Sequence, residues 1–416
     1  MAQLHWIEAG LLLSAFLDLV EDLAWVTSGV AIVLLSLHRW RVSLTALYTS
    51  LAVGALARLG VIVAMPGVRV AFLVVAVLFA LLHPIAVFPD LSGPYLVGCR
   101  TERLRGIDCR ILYPTTRASS SSGADLVPYL EWHRHTPAGI AKYAGMPAFL
   151  FAHLPSFRLR AYRHAPVADD QASHPLIVFS HGLGGTFEMY SALLEDWASR
   201  GFVVLAVNHG DGSAAAFRRA DSDDTVLYVP VDDDGQRRVQ LEHRVAELSR
   251  AVSAFLDVGP PSIPVDPARV FVVGHSFGGA TAVAAAADDP RFRAVVAYDM
   301  WMMPVPPETL SSARLRDLPV AHCISRAWRE SATFPAFLQA CGSASGGVWL
   351  IDQADHVSFS DVYLYSPFLA RLALRGADPA TRPILQAASA FAADFLSGGH
   401  DATRAPSPYI RRLSSS

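Results

Sequence analysis

The chain has 416 residues, more than a single ordinary core accommodates, so two regions are expected. Its formal net charge is −3, and no basic tract marks a nucleic-acid-binding protein. Hydrophobic residues make up 52 % of the chain and the mean hydropathy is +0.32, an apolar excess concentrated in residues 1–90.

In chain order, the first ninety residues read as an all-α transmembrane region. Val42 to Met65 and Val68 to Phe88 are mostly apolar, and about 20 apolar residues cross a bilayer as a helix. Leu23 to Leu37 is apolar but short, and extending it backward takes in Asp18, Glu21 and Asp22. Three spans are expected, with four as the alternative. The three acids share one helix face, so Arg58, inside the second span, either pairs with one of them or snorkels to an interface. A cleaved signal peptide fits poorly, because the first residues lack Lys and Arg. Arg39 and Arg41, and Arg100, Arg103, Arg105 and Arg110, flank the spans; the positive-inside bias then places a multi-pass membrane protein with its large domain on the cytoplasmic side.

Pro89 to Pro94 reads as a linker and Ser119 to Gly123 as a solvated Ser-rich loop. Tyr143 to Phe157 is apolar and aromatic, and Arg158, Arg160 and Arg163 follow it. Phe149, Leu150 and Phe151 are expected either to dip into a lipid interface or to form a buried cap.

From Leu176 onward, strand-like and helix-like runs alternate. Strands are expected at Leu176–Ser180, Val203–Asn208, Val270–Gly274, Ala294–Tyr298, Val320–Ser325 and Val348–Asp352. Tyr190–Ser199, Leu241–Leu256 and Thr281–Ala287 carry helical patterning. Such alternation implies a largely parallel sheet with helices on both faces, over residues 91–397, with ligands at the carboxyl ends of the strands. Residues 398–416 read as a disordered tail.

Gly274-His275-Ser276-Phe277-Gly278 is a G-x-S-x-G pentapeptide between an expected strand and an expected helix. On so sharp a turn the serine hydroxyl is held out toward substrate, and the glycines leave room for the bend. A serine hydroxyl is a weak nucleophile until an oriented base takes its proton. Of the histidines that follow Ser276, His400 lies in the tail, His322 inside a strand, and His356 on the loop after the last strand, which makes His356 the expected base. The acid is open on these grounds: Asp299 ends the strand after the nucleophile, with Asp317, Glu330, Asp352 and Asp355 as competitors. An oxyanion hole needs two backbone N–H donors, one from Phe277 and one from the glycine-rich loop His181-Gly182-Leu183-Gly184-Gly185. Cys99, Cys109, Cys323 and Cys341 show no metal-ligand spacing and read as buried or incidental thiols.

These residues resemble the platelet-activating-factor acetylhydrolases of the plasma and intracellular type II kind, also called lipoprotein-associated phospholipase A2. The resemblance runs from about Gly93 to Ser397. It rests on Gly93-Pro94-Tyr95-Leu96-Val97-Gly98-Cys99, on Phe179 to Gly185, on Gln240-Leu241 with Arg244 and Glu247, on Gly274 to Thr281, on Asp299-Met300-Trp301-Met302-Met303-Pro304, and on His356 with Phe359-Ser360-Asp361. It implies an α/β-hydrolase fold with Asp299 as the acid and Leu183 and Phe277 as oxyanion donors. It further implies substrate contacts at His181, Gly182 and Trp301, lipid-surface contact at Phe149, Leu150 and Phe151, and no metal or cofactor. The implied reaction is calcium-independent hydrolysis of the sn-2 acyl ester of platelet-activating factor or of short-chain or oxidised phospholipids. Another carboxylesterase or polyester-type hydrolase on the same fold is the alternative, and a non-catalytic lipid-binding or scaffold protein is the alternative of another class. One departure stands out: the run Asn208-His209-Gly210-Asp211-Gly212 lacks the arginine that the family carries after this strand.

Overall fold

The computed structural model describes residues 10–15, 17, 30–31, 45–63, 66–82, 86–116, 126–130, 135–258, 263–366, 381–398 and 407–413. The chain divides into two compact units. The first comprises Met1–Val87, Phe149–Phe157 and Leu364–Arg375, and the second comprises Phe88–Ala148, Arg158–Tyr363 and Gly376–Ser416.

In the first unit, helices α1 (Thr45–Arg58) and α2 (Pro66–Leu82) pack through Leu47, Tyr48 and Leu51 against Leu73 and Ala76. This corrects the membrane expectation: no described helix is long and apolar enough to cross a membrane. At 1.5 Å per residue, α1 and α2 extend about 21 and about 26 Å, short of the roughly 30 Å hydrocarbon core. The apolar run from Val42 is broken where α1 ends at Arg58, and Gly60 follows in the left-handed region at φ +71°. Proline then opens α2, where its missing N–H costs nothing. The transmembrane region, the multi-pass placement and the cytoplasmic sidedness drawn from it are therefore withdrawn, as is membrane attachment through the N-terminal helices. Most of the shortest expected span, and all three acids considered for Arg58, lie outside the described residues, as does the Ser-rich loop.

The second unit is a mixed α/β fold. Strands β5 (His174–Ser180), β6 (Val203–Val207), β9 (Val265–His275), β10 (Phe292–Tyr298), β11 (Val320–Ser325) and β12 (Val348–Ile351) form a parallel block in the order β12-β11-β10-β9-β5-β6. Toward their carboxyl ends the middle strands are buried, Val270–His275 of β9, Ala294–Tyr298 of β10 and Leu176–Ser180 of β5 among them, as expected of a parallel sheet covered on both faces. Beyond β6 the sheet continues through antiparallel β2 (Ile107–Thr115) and β1 (Leu96–Leu104), then β4 (Arg158–Arg163) and β3 (Leu126–Pro128). A separate hairpin joins β7 (Ala216–Arg218) to β8 (Thr225–Leu227). The expected tail contains a last strand, β13 (Ile410–Arg412), antiparallel to β12, with Ile410 buried and Arg411 paired to Asp352 at 2.7 Å.

Four helices of this unit bear on the site: α3 (Ser191–Ser199), α4 (Asp234–Val258), α5 (Phe277–Asp288) and α6 (Thr381–Leu396). Residues of α4 and α5 share one core with β5, β6 and β9, including Leu248, Val252, Ala280 and Val283. The small side chains of α5 let it lie close to the strands it crosses. The buried Asp361 carboxyl accepts from the first α3 amides, Ser191 N–H at 2.8 Å and Ala192 N–H at 3.1 Å, two N–H groups that have no acceptor within the helix.

Candidate active site

Ser276 stands between β9 and α5 with φ +56° and ψ −117°, a conformation that non-glycine residues rarely adopt. Its neighbours hold it there: Ser276 N–H donates to Tyr298 O at 2.9 Å, and Ser276 O accepts from Trp301 N–H at 3.0 Å and Ala280 N–H at 3.1 Å. The flanking glycines are sterically required. A Cβ on Gly274 would meet Gly278 O at 2.0 Å, and a Cβ on Gly278 would meet Ser180 O at 2.0 Å.

His356 opens a 3-10 turn (His356–Phe359) after β12, capped by Asp355, whose carboxylate accepts from Val357 N–H at 3.2 Å. Phe359, fully buried, stacks on Tyr298 at 4.9 Å and seats this turn against β10. His356 Nε2 lies 3.1 Å from Ser276 Oγ, and its Nδ1 lies 3.1 Å from Asp299 Oδ2. The carboxylate only accepts, so Nδ1 carries the proton and Nε2 is free to accept from the serine. Asp299 follows β10 at φ +39°, fully buried, and accepts two further hydrogen bonds from Ser325, from N–H and from Oγ, both at 2.7 Å. Those two bonds fix the orientation of the carboxylate toward His356. Two of the competing acids are occupied elsewhere: Asp352 pairs with Arg411, while Asp355 caps the His356 turn and accepts from the Tyr363 hydroxyl. His322 is buried beside Phe337, and burial pushes its imidazole down to about 4.

The glycine-rich loop follows β5. Gly182 N–H donates to Tyr190 Oη at 3.0 Å, Gly184 N–H to Ser213 O at 2.8 Å and Gly185 N–H to Gly182 O at 3.1 Å. Leu183 N–H makes no hydrogen bond among the described residues. Phe277 is the first residue of α5, a position whose N–H has no acceptor within the helix.

The other expected contacts divide. His181 is fully buried, with Nδ1–H donating to Gly182 O at 2.9 Å and Nε2 accepting from His209 N–H at 3.2 Å, so both of its nitrogens shape the loop rather than face a ligand. Gly182 spends its N–H on Tyr190; what it offers is space, since a Cβ there would lie 3.3 Å from Ser276 Cβ. Trp301 is half-buried and packs edge-on against Phe277 at 5.4 Å, whereas Met300 is fully buried. Phe149, Leu150 and Phe151 form a 3-10 turn of the first unit, with Phe149 54 % exposed and the other two half-buried.

A second hydrogen-bonded chain, absent from the sequence reading, lies under the loop. Ser180 Oγ is 2.8 Å from His209 Nε2, and His209 Nδ1 is 2.8 Å from Glu247 Oε2. It has the connectivity of a nucleophile–base–acid set, but Ser180 and His209 are fully buried and Glu247 nearly so. Burial holds the His209 imidazole well below its ordinary range, hence neutral, and raises the Glu247 carboxyl. Arg244 sits beside it, donating to His181 O at 2.7 Å, pairing with Asp211 at 3.1 Å and lying 4.4 Å over the Phe277 ring. This pair from α4 provides a buried arginine under the loop where the run after β6 lacks one. In the sequence, Arg244 and Glu247 stood out only as residues of the family resemblance, with no sign of the chain they join.

His275, Asp299 and His356 bring ligand-type atoms within 4.8 Å of one another. Asp299 and His356 are bound to each other, and His275 is bound to Tyr190 and to the His356 carbonyl, so the three form one hydrogen-bonded set. The cysteines Cys99, Cys109, Cys323 and Cys341 are buried, and no disulfide joins them among the described residues.

The chain matches the family described as platelet-activating factor acetylhydrolase, isoform II, over residues 82–396. Among curated relatives, the platelet-activating factor acetylhydrolase of Canis lupus familiaris is 33 % identical over 256 residues, covering 52 % of this chain and 56 % of the relative. That of Cavia porcellus is 34 % identical over 251 residues, with the same coverage. A putative phospholipase A2 of Schizosaccharomyces pombe is 25 % identical over 284 residues, covering 54 % of this chain and 64 % of that protein. The chain thus spans little more than half the length of these relatives. The solved structure of a ferulic acid esterase from Streptomyces cinnamoneus shares the fold, with a TM-score of 0.55 and 22 % identity over 79 % of this chain and 97 % of that one. With residues 82–396 accounted for by the family, the chain belongs to the platelet-activating factor acetylhydrolase isoform II family.

Proposed function

We propose that this chain is a serine-dependent carboxylic ester hydrolase that cleaves the sn-2 acyl ester of platelet-activating factor or of short-chain or oxidised phospholipids. The observation that carries the reading is the continuous hydrogen-bonded chain from Ser276 Oγ through His356 to the buried Asp299, 3.1 Å at each step. The reading is supported by the backbone amides of Leu183 and Phe277, which make no hydrogen bond among the described residues. Family membership supports the lipid ester as substrate class.

In this scheme Ser276 Oγ attacks the ester carbonyl carbon while His356 Nε2 takes its proton. Asp299 keeps the Nδ1–H tautomer and offsets the imidazolium charge. The carbonyl oxygen becomes an oxyanion, held by the N–H groups of Leu183 and Phe277. Collapse breaks the bond to the glycerol oxygen, and His356 returns the proton to the departing lyso-phospholipid. Water, deprotonated by His356, then attacks the acyl-Ser276 ester; the acyl–oxygen bond breaks, His356 returns the proton to Ser276 Oγ, and the carboxylic acid is released. Trp301 lines the acyl side, and the exposed Phe149 with Leu150 and Phe151 meets the lipid surface. The chemistry requires no calcium.

The test is fluorophosphonate labelling together with turnover of platelet-activating factor, with and without EDTA. Wild type is expected to label and turn over in EDTA, and Ser276→Ala to lose the label and about 10⁴-fold or more of kcat. Full activity in Ser276→Ala overturns the mechanism. Cleavage of p-nitrophenyl acetate without cleavage of the phospholipid overturns the substrate class alone.

A further inference from the structure

A hydrogen-bonded chain joins the oxyanion loop to the general-base loop through two side chains that the scheme above does not use. Gly182 N–H donates to Tyr190 Oη at 3.0 Å, Tyr190 Oη lies 2.9 Å from His275 Nδ1, and His275 Nε2 lies 2.8 Å from the carbonyl oxygen of His356. The polarity of every step follows from its two ends. A carbonyl only accepts, so His275 Nε2 carries a proton. In the neutral ring Nδ1 then accepts, so the Tyr190 hydroxyl donates to it. The Tyr190 oxygen, having given its proton, accepts from Gly182. Burial and the neighbouring His356 hold the His275 imidazole well below its ordinary range, in keeping with a neutral ring.

We propose that Tyr190 and His275 are positioning residues, which fix the separation of the Gly182 loop and the His356 turn so that the oxyanion donors and the base stay in register around Ser276. The proposal rests on the esterase reading of Ser276, His356 and Asp299. Both side chains are almost fully buried, so neither is placed to meet substrate. Their rings extend the contact: Tyr190 packs on His275 at 5.7 Å, and His275 on His356 at 4.7 Å. His275 is the residue before the nucleophile, at the end of β9, so its backbone moves with Ser276 while its side chain holds the main chain of His356. Tyr190 ends the 3-10 turn Phe187–Tyr190 that leads into α3, which ties the same chain to a fully buried helix. The lateral position of the base and the depth of the oxyanion loop are thus set by one donor–acceptor series rather than by two independent loops.

The test uses the full chain, with p-nitrophenyl acetate turnover abolished by Ser276→Ala as the prior condition; failure of that condition rejects the esterase reading, not the relay. Misplacing reacting groups by about an ångström costs up to about 100-fold in rate. Tyr190→Phe is expected to lower kcat about 10-fold with KM within about twofold, and His275→Leu about 100-fold. The double variant should be no slower than His275→Leu alone, because both break one chain. His275→Gln should recover part of the loss, since its amide N–H can still reach His356 O. Ser389→Ala serves as the stability control: it removes a buried hydrogen bond to Asp196, 2.6 Å long, and should lower the unfolding midpoint without changing kcat. Wild-type kcat in Tyr190→Phe, multiplicative losses in the double variant, or a loss of kcat in Ser389→Ala as large as that in Tyr190→Phe would each overturn the proposal.

Discussion

Trp328 lies flat against His356, with ring centroids 5.0 Å apart and planes 14° from parallel. In the proposed scheme His356 takes the proton of Ser276 and becomes a cation, and an indole face attracts a cation by about 0.5–2 kcal/mol. That attraction is absent from the neutral ring, so it acts on the transition state more than on bound substrate. Trp328→Leu should therefore lower kcat by about 2- to 30-fold with little change in KM, and Trp328→Phe should retain part of the rate. Steady-state kinetics on p-nitrophenyl acetate measures both; an unchanged kcat in Trp328→Leu means that the stack only fills space.

Ser325 holds both ends of this arrangement. Its Oγ–H donates to Asp299 Oδ2 at 2.7 Å, and the same oxygen accepts from Trp328 N–H at 3.1 Å, capping the short helix Arg326–Arg329. A hydrogen bond to a charged group contributes about 1.5–3 kcal/mol. Ser325→Ala should lower kcat about 10-fold and also lower the unfolding midpoint, because Asp299 stays buried with one donor fewer. A kcat within twofold of wild type would show that the Ser325 backbone N–H alone suffices to orient the acid.

How much of this was legible beforehand depended on whether the signal was local. The strands from Leu176 to Asp352 are short apolar runs punctuated by polar turns, and they lie where their composition puts them. Ser276 and His356 were visible because one sits in a pentapeptide and the other on the loop after the last strand. Asp299 was one of several acids, and only the resemblance separated it from Asp355 and Asp352, whose engagements with Tyr363 and Arg411 are tertiary. Tyr190, His275, Ser325 and Trp328 leave no spacing signature, because strand pairing is what brings them together. The N-terminal misreading has a different cause: an apolar run of the right length does not reveal that Gly60 turns left-handed and ends a helix after 14 residues. The three-residue strand β13 was hidden in a polar tail, where Ile410 alone carried its apolar signal.

Gly278 and Gly279 are adjacent, and the structure sets them apart. A Cβ on Gly278 would lie 2.0 Å from Ser180 O and 2.7 Å from His181 O, both backbone atoms of β5 and the glycine-rich loop after it, which carries the proposed oxyanion donor Leu183. On Gly279 the nearest atom would be Met300 Cα at 3.2 Å. Gly278→Ala must displace backbone, with a cost of about 1–3 kcal/mol or more, and should slow fluorophosphonate labelling of Ser276 severely. Gly279→Ala should be tolerated far better in both thermal midpoint and labelling rate. Equal behaviour of the two variants would mean that the elbow yields more readily than these contacts allow.

Glu195 and Asp361 give the stability a defined pH dependence. Burial pushes the Glu195 carboxyl from 4.5 up to about 8, opposed by the Arg160 N–H that donates to it at 2.6 Å, with the Asp361 carboxylate adding to the rise. Burial likewise pushes Asp361 up to about 7, against the α3 amides and the Tyr129 hydroxyl. The folded chain therefore keeps two protons that the unfolded chain releases near pH 4. Their contribution to stability is full below pH 4, falls as pH rises through 7 and 8, and is flat above. The buried neutral histidines His209 and His275 act in the opposite sense, since the unfolded chain gains their protons below about pH 6.5. Stability of the wild type should thus peak on the acid side of neutrality. Glu195→Gln removes one ionisation while keeping an acceptor for Arg160 N–H, so its unfolding midpoint should decline less between pH 5 and 9 and should exceed that of wild type at the alkaline end. The difference at full ionisation is on the order of 5 kcal/mol. Parallel midpoint curves for the two proteins over that range would show that Glu195 ionises as easily in the folded chain as in the unfolded one.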